Sequence, residues 1–91
     1  MKSIYSQSYR ALLTHIAQAR KEAGITQADL AEQLGRPQSF VSKIESGERR
    51  IDVVEFLQVA HLIGFDPCAL LHGLRLMPNQ KTRKSAKKPK A

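Results

Sequence analysis

Four side chains in the middle of the chain combine hydrogen-bond donors and acceptors at the spacing of one helix face. They are Gln38, Ser39, Ser42 and Lys43. Gln can bond an adenine edge through two hydrogen bonds, Lys donates to guanine, and Ser can donate or accept. A helix without a partner more often carries Glu–Lys pairs on its outward positions. These four residues therefore predict a surface that reads nucleic-acid bases.

The segment that must position this face consists of two short predicted helices joined by a tight turn. Thr26 caps the first helix with Asp29 three residues on, and Gly35 ends it. Pro37 suits the first turn of the second helix, and the small Ala31 lets the two helices approach closely. Such a pair is a helix-turn-helix motif, whose second helix lies in the DNA major groove. A polar face that only meets water is the alternative interpretation.

Three further helices flank this pair, one before it and two after it. Apolar spacing and capping residues predict them over residues 6 or 8 to 23, 53 to 63, and from 67 onward. The apolar pattern of the fourth helix runs through Phe56, Leu57, Ala60 and His61. Because no segment alternates apolar and polar residues between turn signals, we expect a compact, all-α domain of five helices.

Two charged residues lie at positions that should face the core. Arg20 shares a helix face with Leu13 and Ile16, and Glu45 lies four residues after Val41. A lone buried charge is strongly destabilising, whereas two opposite buried charges can satisfy each other. We therefore expect a structural ion pair between Arg20 and Glu45 that ties the first helix to the end of the third.

The charges divide the chain into a nearly neutral body and a basic tail. Six of the 15 Lys and Arg residues, and none of the 8 acidic residues, lie in residues 81–91. A hydrophobic fraction of 42% is that of a globular chain. We expect one domain over residues 1–77 and a disordered tail over residues 78–91. The tail is either a solvated segment or a non-specific grip on phosphates.

Catalysis, metal binding and membrane insertion have little support in the sequence. Cys68 and His72 lie four residues apart, but a structural zinc site needs further ligands, and a Cys–His nucleophile pair would lack an orienting group. We expect no enzyme, no metal and no cofactor. No apolar run reaches the roughly 18 residues that span a bilayer, and residues 1–10 lack the apolar core of a secretory signal. A single Cys cannot form an internal disulfide, which agrees with a reducing compartment. We therefore expect a cytoplasmic, nucleoid-associated protein without a membrane partner.

A set of residues at fixed spacing connects the chain to a known family. The set comprises Thr26, Gln27, Leu30, Ala31, Leu34, Gly35, residues 37–45, Gly47, Arg49 and Arg50. Through it, the chain from about Tyr9 to Leu74 resembles the lambda-repressor-like DNA-binding domain of the phage repressor and Cro family, also called the XRE family. The resemblance implies that Gln27 holds a phosphate and that Arg49 or Arg50 touches the DNA backbone. It also implies base reading by Gln38, Ser39, Ser42 and Lys43, and a buried pair of Arg20 with Glu45.

The resemblance implies a transcriptional regulator, most simply a repressor, that binds a palindromic operator in double-stranded DNA as a homodimer. Because family members have their last helix in or near the dimer contact, we expect apolar residues there to supply it. These are Leu70, Leu71, Leu74, Leu76 and Met77. The alternative is an antitoxin or accessory protein whose main partner is another protein. The tail argues against it, since residues 79–91 offer no aromatic or large aliphatic anchor.

Overall fold

The computed structural model describes residues 6–74 of the 91-residue chain, and every regular element within them is an α-helix. The elements are α1 (Gln7–Glu22), α2 (Gln27–Leu34), α3 (Gln38–Ser46), α4 (Val53–Ile63) and α5 (Pro67–Leu74). The predicted all-α class with five helices is confirmed over this part of the chain. The expected boundary after residue 77 and the basic tail over residues 78–91 lie outside the described residues.

Two capping boxes fix where α2 and α4 begin. The Thr26 hydroxyl accepts the N–H of Asp29 at 3.0 Å, and the Thr26 N–H donates to the Asp29 carboxylate at 3.1 Å. Asp52 and Glu55 repeat this arrangement at the start of α4. Gly35, with φ of 72°, ends α2 in the left-handed conformation that turns the chain into α3. The predicted start and end signals of the helix-turn-helix are thus present.

One hydrophobic core lies between α1, α2, α3 and α4. Ile16 and Leu30 are its most completely buried large side chains. The α2 helix packs on α3 and α4, and α1 packs on α3, α4 and α5. The buried apolar residues are Leu13, Ile16, Leu30, Ala31, Phe40, Val41, Ile44, Phe56, Val59 and Ala60. Because α2 and α3 both contribute to this core, their relative orientation is fixed by packing.

The buried face of α4 differs from the sequence prediction at one position. The predicted pattern ran through Leu57, but that side chain is 48% exposed, and Val59 is buried instead. Phe56, Val59 and Ala60 follow the spacing of three and four residues that keeps side chains on one face. Leu57 lies about a quarter turn away from Phe56, and His61 is exposed as well.

No helix within residues 6–74 is by itself long and apolar enough to cross a membrane. Taken together, α4 and α5 reach that length and composition, with a bend of 117° between them. The α4 helix places Phe56, Val59 and Ala60 in the core of the domain, which accounts for much of its apolar character.

Candidate nucleic-acid interface

The outer face of α3 brings together the four polar residues identified from sequence. Gln38, Ser39 and Lys43 are exposed, and Ser42 is half-buried. The Ser42 hydroxyl donates to the Ser39 carbonyl oxygen at 3.3 Å, which leaves the hydroxyl oxygen able to accept. Pro37 is the N-cap of α3 rather than a residue of its first turn, and it provides no side-chain cap. The face therefore presents hydrogen-bonding groups from the first residue of α3 onward.

One flank of α3 is fixed by the buried ion pair. Arg20 Nε donates to Glu45 Oε2 at 2.7 Å, and Arg20 Nη2 donates to Glu45 Oε1 at 3.1 Å. The remaining Nη1 donates to the carbonyl oxygen of Ile25 at 2.8 Å. Each side chain of the pair is only 9% exposed. The predicted contact is thus present, and it ties α1 to the last turn of α3 through two nearly parallel hydrogen bonds.

Gln27, the first residue of α2, extends this cluster. Its Nε2 donates to Glu45 Oε1 at 2.9 Å, and the residue is half-buried. A side-chain amide has two N–H donors, so one donor remains after the bond to Glu45. Glu45 holds the amide in one orientation beside α3, which suits a phosphate ligand. The phosphate contact itself stays a prediction.

Glu55, near the start of α4, binds arginines that precede and follow α3 in the chain. Arg49 donates from Nη1 and Nη2 to the two Glu55 oxygens at 2.9 and 3.0 Å, and Nη1 also donates to the Arg50 carbonyl oxygen at 2.8 Å. Arg36 Nη2 lies 4.0 Å from Glu55 Oε2. The hydrogen bond from Arg49 lowers the pKa of Glu55, and the same bond raises the pKa of Arg49. Glu55 is therefore ionised and matched by cations at neutral pH.

Phe40 joins these arginines to α3. The guanidinium carbons of Arg36 and Arg49 lie 4.2 and 4.7 Å from the centre of its ring. Such contacts are attractive because the ring face carries partial negative charge. Sequence reasoning missed this cluster. The available signal was that Phe40 lies four residues before the inward Ile44, which places its ring at the edge of the core rather than on the outer face.

Arg49 and Arg50, both implied to touch the DNA backbone, differ in their surroundings. Arg49 is half-buried, and its guanidinium donates hydrogen bonds to both oxygens of Glu55 and to a carbonyl oxygen. Arg50 is exposed, and its guanidinium carbon lies 4.5 Å from the centre of the Tyr9 ring. Tyr9 also accepts the N–H of Ile51 through its hydroxyl at 3.1 Å, which ties the α3–α4 loop to α1. The geometry therefore favours Arg50 over Arg49 as an outward cation.

The groups considered for metal or nucleophilic chemistry lie away from α3. Cys68 and His72 are exposed on α5, and Cys68 is a free thiol. Within residues 6–74, no three His, Cys, Asp or Glu side chains come together in a way that could hold a metal ion.

Comparison with known proteins agrees with this geometry. A helix-turn-helix family model matches residues 16–70, which is more than half of the chain. Among solved structures, the chain is 58% identical to an XRE-family like protein from Pseudomonas syringae pv. tomato str. DC3000, with a TM-score of 0.71. The match covers 74% of this chain and 82% of that one. Among curated proteins, none matches the chain. The chain belongs to the XRE-type helix-turn-helix family, and this membership supports a DNA-binding regulator rather than an enzyme.

Proposed function

We propose that the protein is a sequence-specific transcriptional regulator that inserts α3 into the major groove and represses by occluding its operator. The observation that carries this proposal is the outer face of α3, where Gln38, Ser39 and Lys43 are exposed while Arg20 binds Glu45 of the same helix. A face held in this way presents its side chains in a fixed register. Fixed register is a requirement for distinguishing one base pair from another.

The base-reading residues lie in two successive turns of α3. Gln38 and Ser39 lie in the first turn, the part of a recognition helix that contacts base edges. Ser42 and Lys43 follow one turn later on the same side. We assign Gln38 to a paired donor and acceptor contact, such as adenine offers, and Lys43 to an acceptor pair, such as guanine offers. The two serines adapt to either partner.

Phosphate contacts position the protein on the duplex without reading sequence. We assign them to Gln27, through the amide donor that Glu45 leaves, and to Arg50, through its outward guanidinium. Arg49 adds positive charge at the same place, with Glu55 fixing its orientation. Contacts from the start of α2 and from the α3–α4 loop would hold α3 against the duplex.

A palindromic operator follows if two copies bind together, with half-sites about one helical turn, or roughly 34 Å, apart. The activity belongs in the cytoplasm at the nucleoid, where the operator lies. The rival interpretation, an antitoxin or accessory protein that mainly binds another protein, predicts little sequence preference on DNA. The two interpretations therefore differ in an outcome that one experiment measures.

The experiment is selection of bound duplexes from a random pool at fixed salt, followed by sequencing. A palindromic consensus is the expected result. The control is the double variant Gln38→Ala with Lys43→Ala, which keeps the buried ion pair and should lose the consensus. A pool that shows no enrichment with the unaltered protein would instead favour the protein-binding alternative.

A further inference from the structure

Arg36 lies in the turn between α2 and α3, beside the outer face of α3. It precedes the first residue of α3 by two positions, and its side chain is 47% exposed. The backbone of this turn is fixed, because the Arg36 N–H donates to the Ala31 carbonyl oxygen at 2.9 Å and Gly35 adopts the left-handed conformation. The turn therefore sets the point from which the Arg36 side chain leaves the backbone.

The Arg36 guanidinium is oriented without using its hydrogen-bond donors. Its carbon lies 4.2 Å from the centre of the Phe40 ring, and its Nη2 lies 4.0 Å from Glu55 Oε2, too far for a hydrogen bond. Within residues 6–74, the Arg36 side chain donates no hydrogen bond. Arg49 contacts the same ring but donates from Nη1 and Nη2 to Glu55. Because a guanidinium has five N–H donors, Arg36 retains its full set for a ligand.

The charges around the Phe40 ring leave one cation in excess. Arg36 and Arg49 share a single carboxylate, that of Glu55, whose two oxygens already accept the hydrogen bonds from Arg49. An ion pair as exposed as that of Arg36 contributes little to stability. Stabilisation of the fold therefore does not account for a guanidinium held at this position, whereas an anionic ligand would.

Phe40 and Glu45 mark the two edges of the outer face of α3. They are five residues apart, which places them about 140° apart around the helix axis, with the buried side of the helix between them. Lys43 follows Phe40 by three residues, so it lies at the edge of the outer face that Arg36 borders. Gln27 donates to Glu45 and borders the other edge. A helix in the major groove has a phosphate backbone along each side, so each edge faces one of them.

We propose that Arg36 is a further DNA-binding residue, which donates to the phosphates along the Lys43 edge of α3, with Phe40 as its positioning residue. The proposal rests on the proposed function and adds a contact on the edge that Gln27 does not reach. The planar fork of a guanidinium matches two phosphate oxygens. A side chain that is already held by a ring also loses less conformational freedom on binding.

The variant Arg36→Ala in the full chain tests the contact. Titrations on the selected duplex and on a random duplex, at several salt concentrations, provide the measurement. We expect affinity for both duplexes to fall about eightfold per protomer at about 0.1 M salt, and the slope of log affinity against log salt to become shallower by about 0.9. The thermal midpoint should stay within a few degrees of that of the parent, because the exposed ion pair stabilises little.

The variant Arg36→Lys is the matched control for charge. It keeps the positive charge but lacks the planar fork that binds two phosphate oxygens. We expect Arg36→Lys to weaken binding to both duplexes by roughly threefold. Binding equal to that of the parent would show that the position acts only through long-range attraction, and it would overturn the assigned contact.

A double-mutant cycle tests the role of the ring. Phe40→Leu removes the ring but keeps an apolar side chain at the edge of the core, and circular dichroism checks that the variants are folded. In the parent, Phe40→Leu should weaken DNA binding by roughly threefold, whereas in the Arg36→Ala background it should add no further loss. An equal loss in both backgrounds would overturn the positioning role of Phe40. If Phe40→Leu unfolds, Phe40→Met replaces it.

Failure of this contact and failure of the DNA-binding function give different results. A parent that binds both duplexes, with unchanged affinity and salt slope in Arg36→Ala, would disprove the contact and leave the function standing. A loss confined to the selected duplex would make Arg36 a base-reading residue and contradict the phosphate assignment. A parent that binds neither duplex would disprove the function and the contact together.

Discussion

At the scale of single residues, two glutamates connect α3 and the segments on either side of it to the rest of the domain. Glu45 receives donors from Arg20 and Gln27, and Glu55 receives donors from Arg49. An unmatched carboxylate beside DNA would repel the phosphates. Here each carboxylate is neutralised by a guanidinium from another segment, so it can orient the helix without opposing the approach of DNA.

The first prediction concerns the buried pair. Arg20→Ala should destabilise the fold by about 3–5 kcal/mol, because it leaves the Glu45 charge largely buried without its partner. Arg20→Met combined with Glu45→Leu should recover much of that loss, since a buried ion pair is often replaceable by apolar residues. Urea denaturation measures both free energies. An unchanged midpoint for Arg20→Ala would contradict a structural role.

The second prediction separates base reading from phosphate binding. Gln38→Ala or Lys43→Ala should weaken binding to the selected site by about 1–3 kcal/mol and change binding to random DNA little. Gln27→Ala should weaken both, because a phosphate carries no sequence information. Titrations on both duplexes at one salt concentration provide the comparison. Equal losses on both duplexes for Gln38→Ala would rule out its assignment to a base.

The third prediction distinguishes the neighbouring arginines of the α3–α4 loop. Arg50→Ala should reduce affinity for specific and random DNA alike, with little change in the free energy of unfolding, because its guanidinium is exposed. Arg49→Ala should lower stability more, since it removes the two hydrogen bonds to Glu55 and the contact with the Phe40 ring. Thermal melts and DNA titrations on both variants check this. If Arg50→Ala lowered the stability more than Arg49→Ala, the hydrogen bonds between Arg49 and Glu55 would not contribute to the stability as expected.

At the scale of helices, the acidic residues of the two capping boxes, Asp29 and Glu55, should make the fold sensitive to acid. The backbone N–H of Thr26 lowers the pKa of Asp29 below its ordinary 3.8, and Arg49 lowers the pKa of Glu55 below its ordinary 4.5. A lowered pKa in the folded state means that the unfolded state binds protons more readily. The stabilisation is therefore complete above the ordinary pKa values and is lost as the pH falls through the lower folded ones.

The fourth prediction follows from this sign. The thermal midpoint should be steady from pH 7 to about pH 5 and should fall below about pH 4, as these carboxylates protonate. Glu55→Gln should lower the midpoint at pH 7 and reduce the steepness of the acid fall. Asp29→Asn should reduce that steepness in the same way. An acid transition that keeps its slope in both variants would assign it to other carboxylates.

Much of this architecture was available from the sequence, because it is local. Thr26 with Asp29, Asp52 with Glu55, and Gly35 act within a few residues, and the helix boundaries follow from them. The remaining features depend on contacts between elements. The face of α4 was misplaced by one position because its first five residues, Val53 to Leu57, are all apolar except Glu55, so that periodicity alone does not select the inner side.

The same distinction applies to the candidate site. The pair of Arg20 with Glu45 was predictable because each residue interrupts an apolar face, and a buried charge demands a partner. Nothing of that kind marks Arg36 or Arg49 as partners of Phe40. The positions of these two arginines depend on how the α2–α3 turn and the α3–α4 loop fold around α3, and no local sequence pattern predicts that.

At the scale of the whole molecule, the distribution of charge matters more than its sum. The net charge of +7 comes almost entirely from the six cations in residues 81–91, because the rest of the chain is close to neutral. If the protein binds DNA as proposed, long-range attraction should come from the tail, whereas orientation should come from the few cations around α3. Removing the tail should separate the two contributions, because only the first depends on the charges of the tail.

The fifth prediction concerns this tail. Truncation after Pro78 removes six positive charges and no residue of the described core, so the thermal midpoint should change little. Each phosphate contact releases counterions, so losing it makes the slope of log affinity against log salt shallower by about 0.9. If the tail is disordered, as its composition predicts, its six charges will not all engage phosphates at once. We expect a change in slope of roughly 2–4 per protomer, on specific and random DNA alike.

The measurement is a titration of full-length and truncated protein at four or five salt concentrations, on both duplexes. A matched control replaces the six cations by Gln and Ser at full length, which separates charge from chain length. Equal slopes for the full-length and truncated proteins would mean that the tail makes no phosphate contact. A charge-free tail that restores the original slope would assign the effect to length. If the charge-free and truncated proteins instead share one shallow slope, the tail acts as a phosphate grip, and operator choice remains with α3.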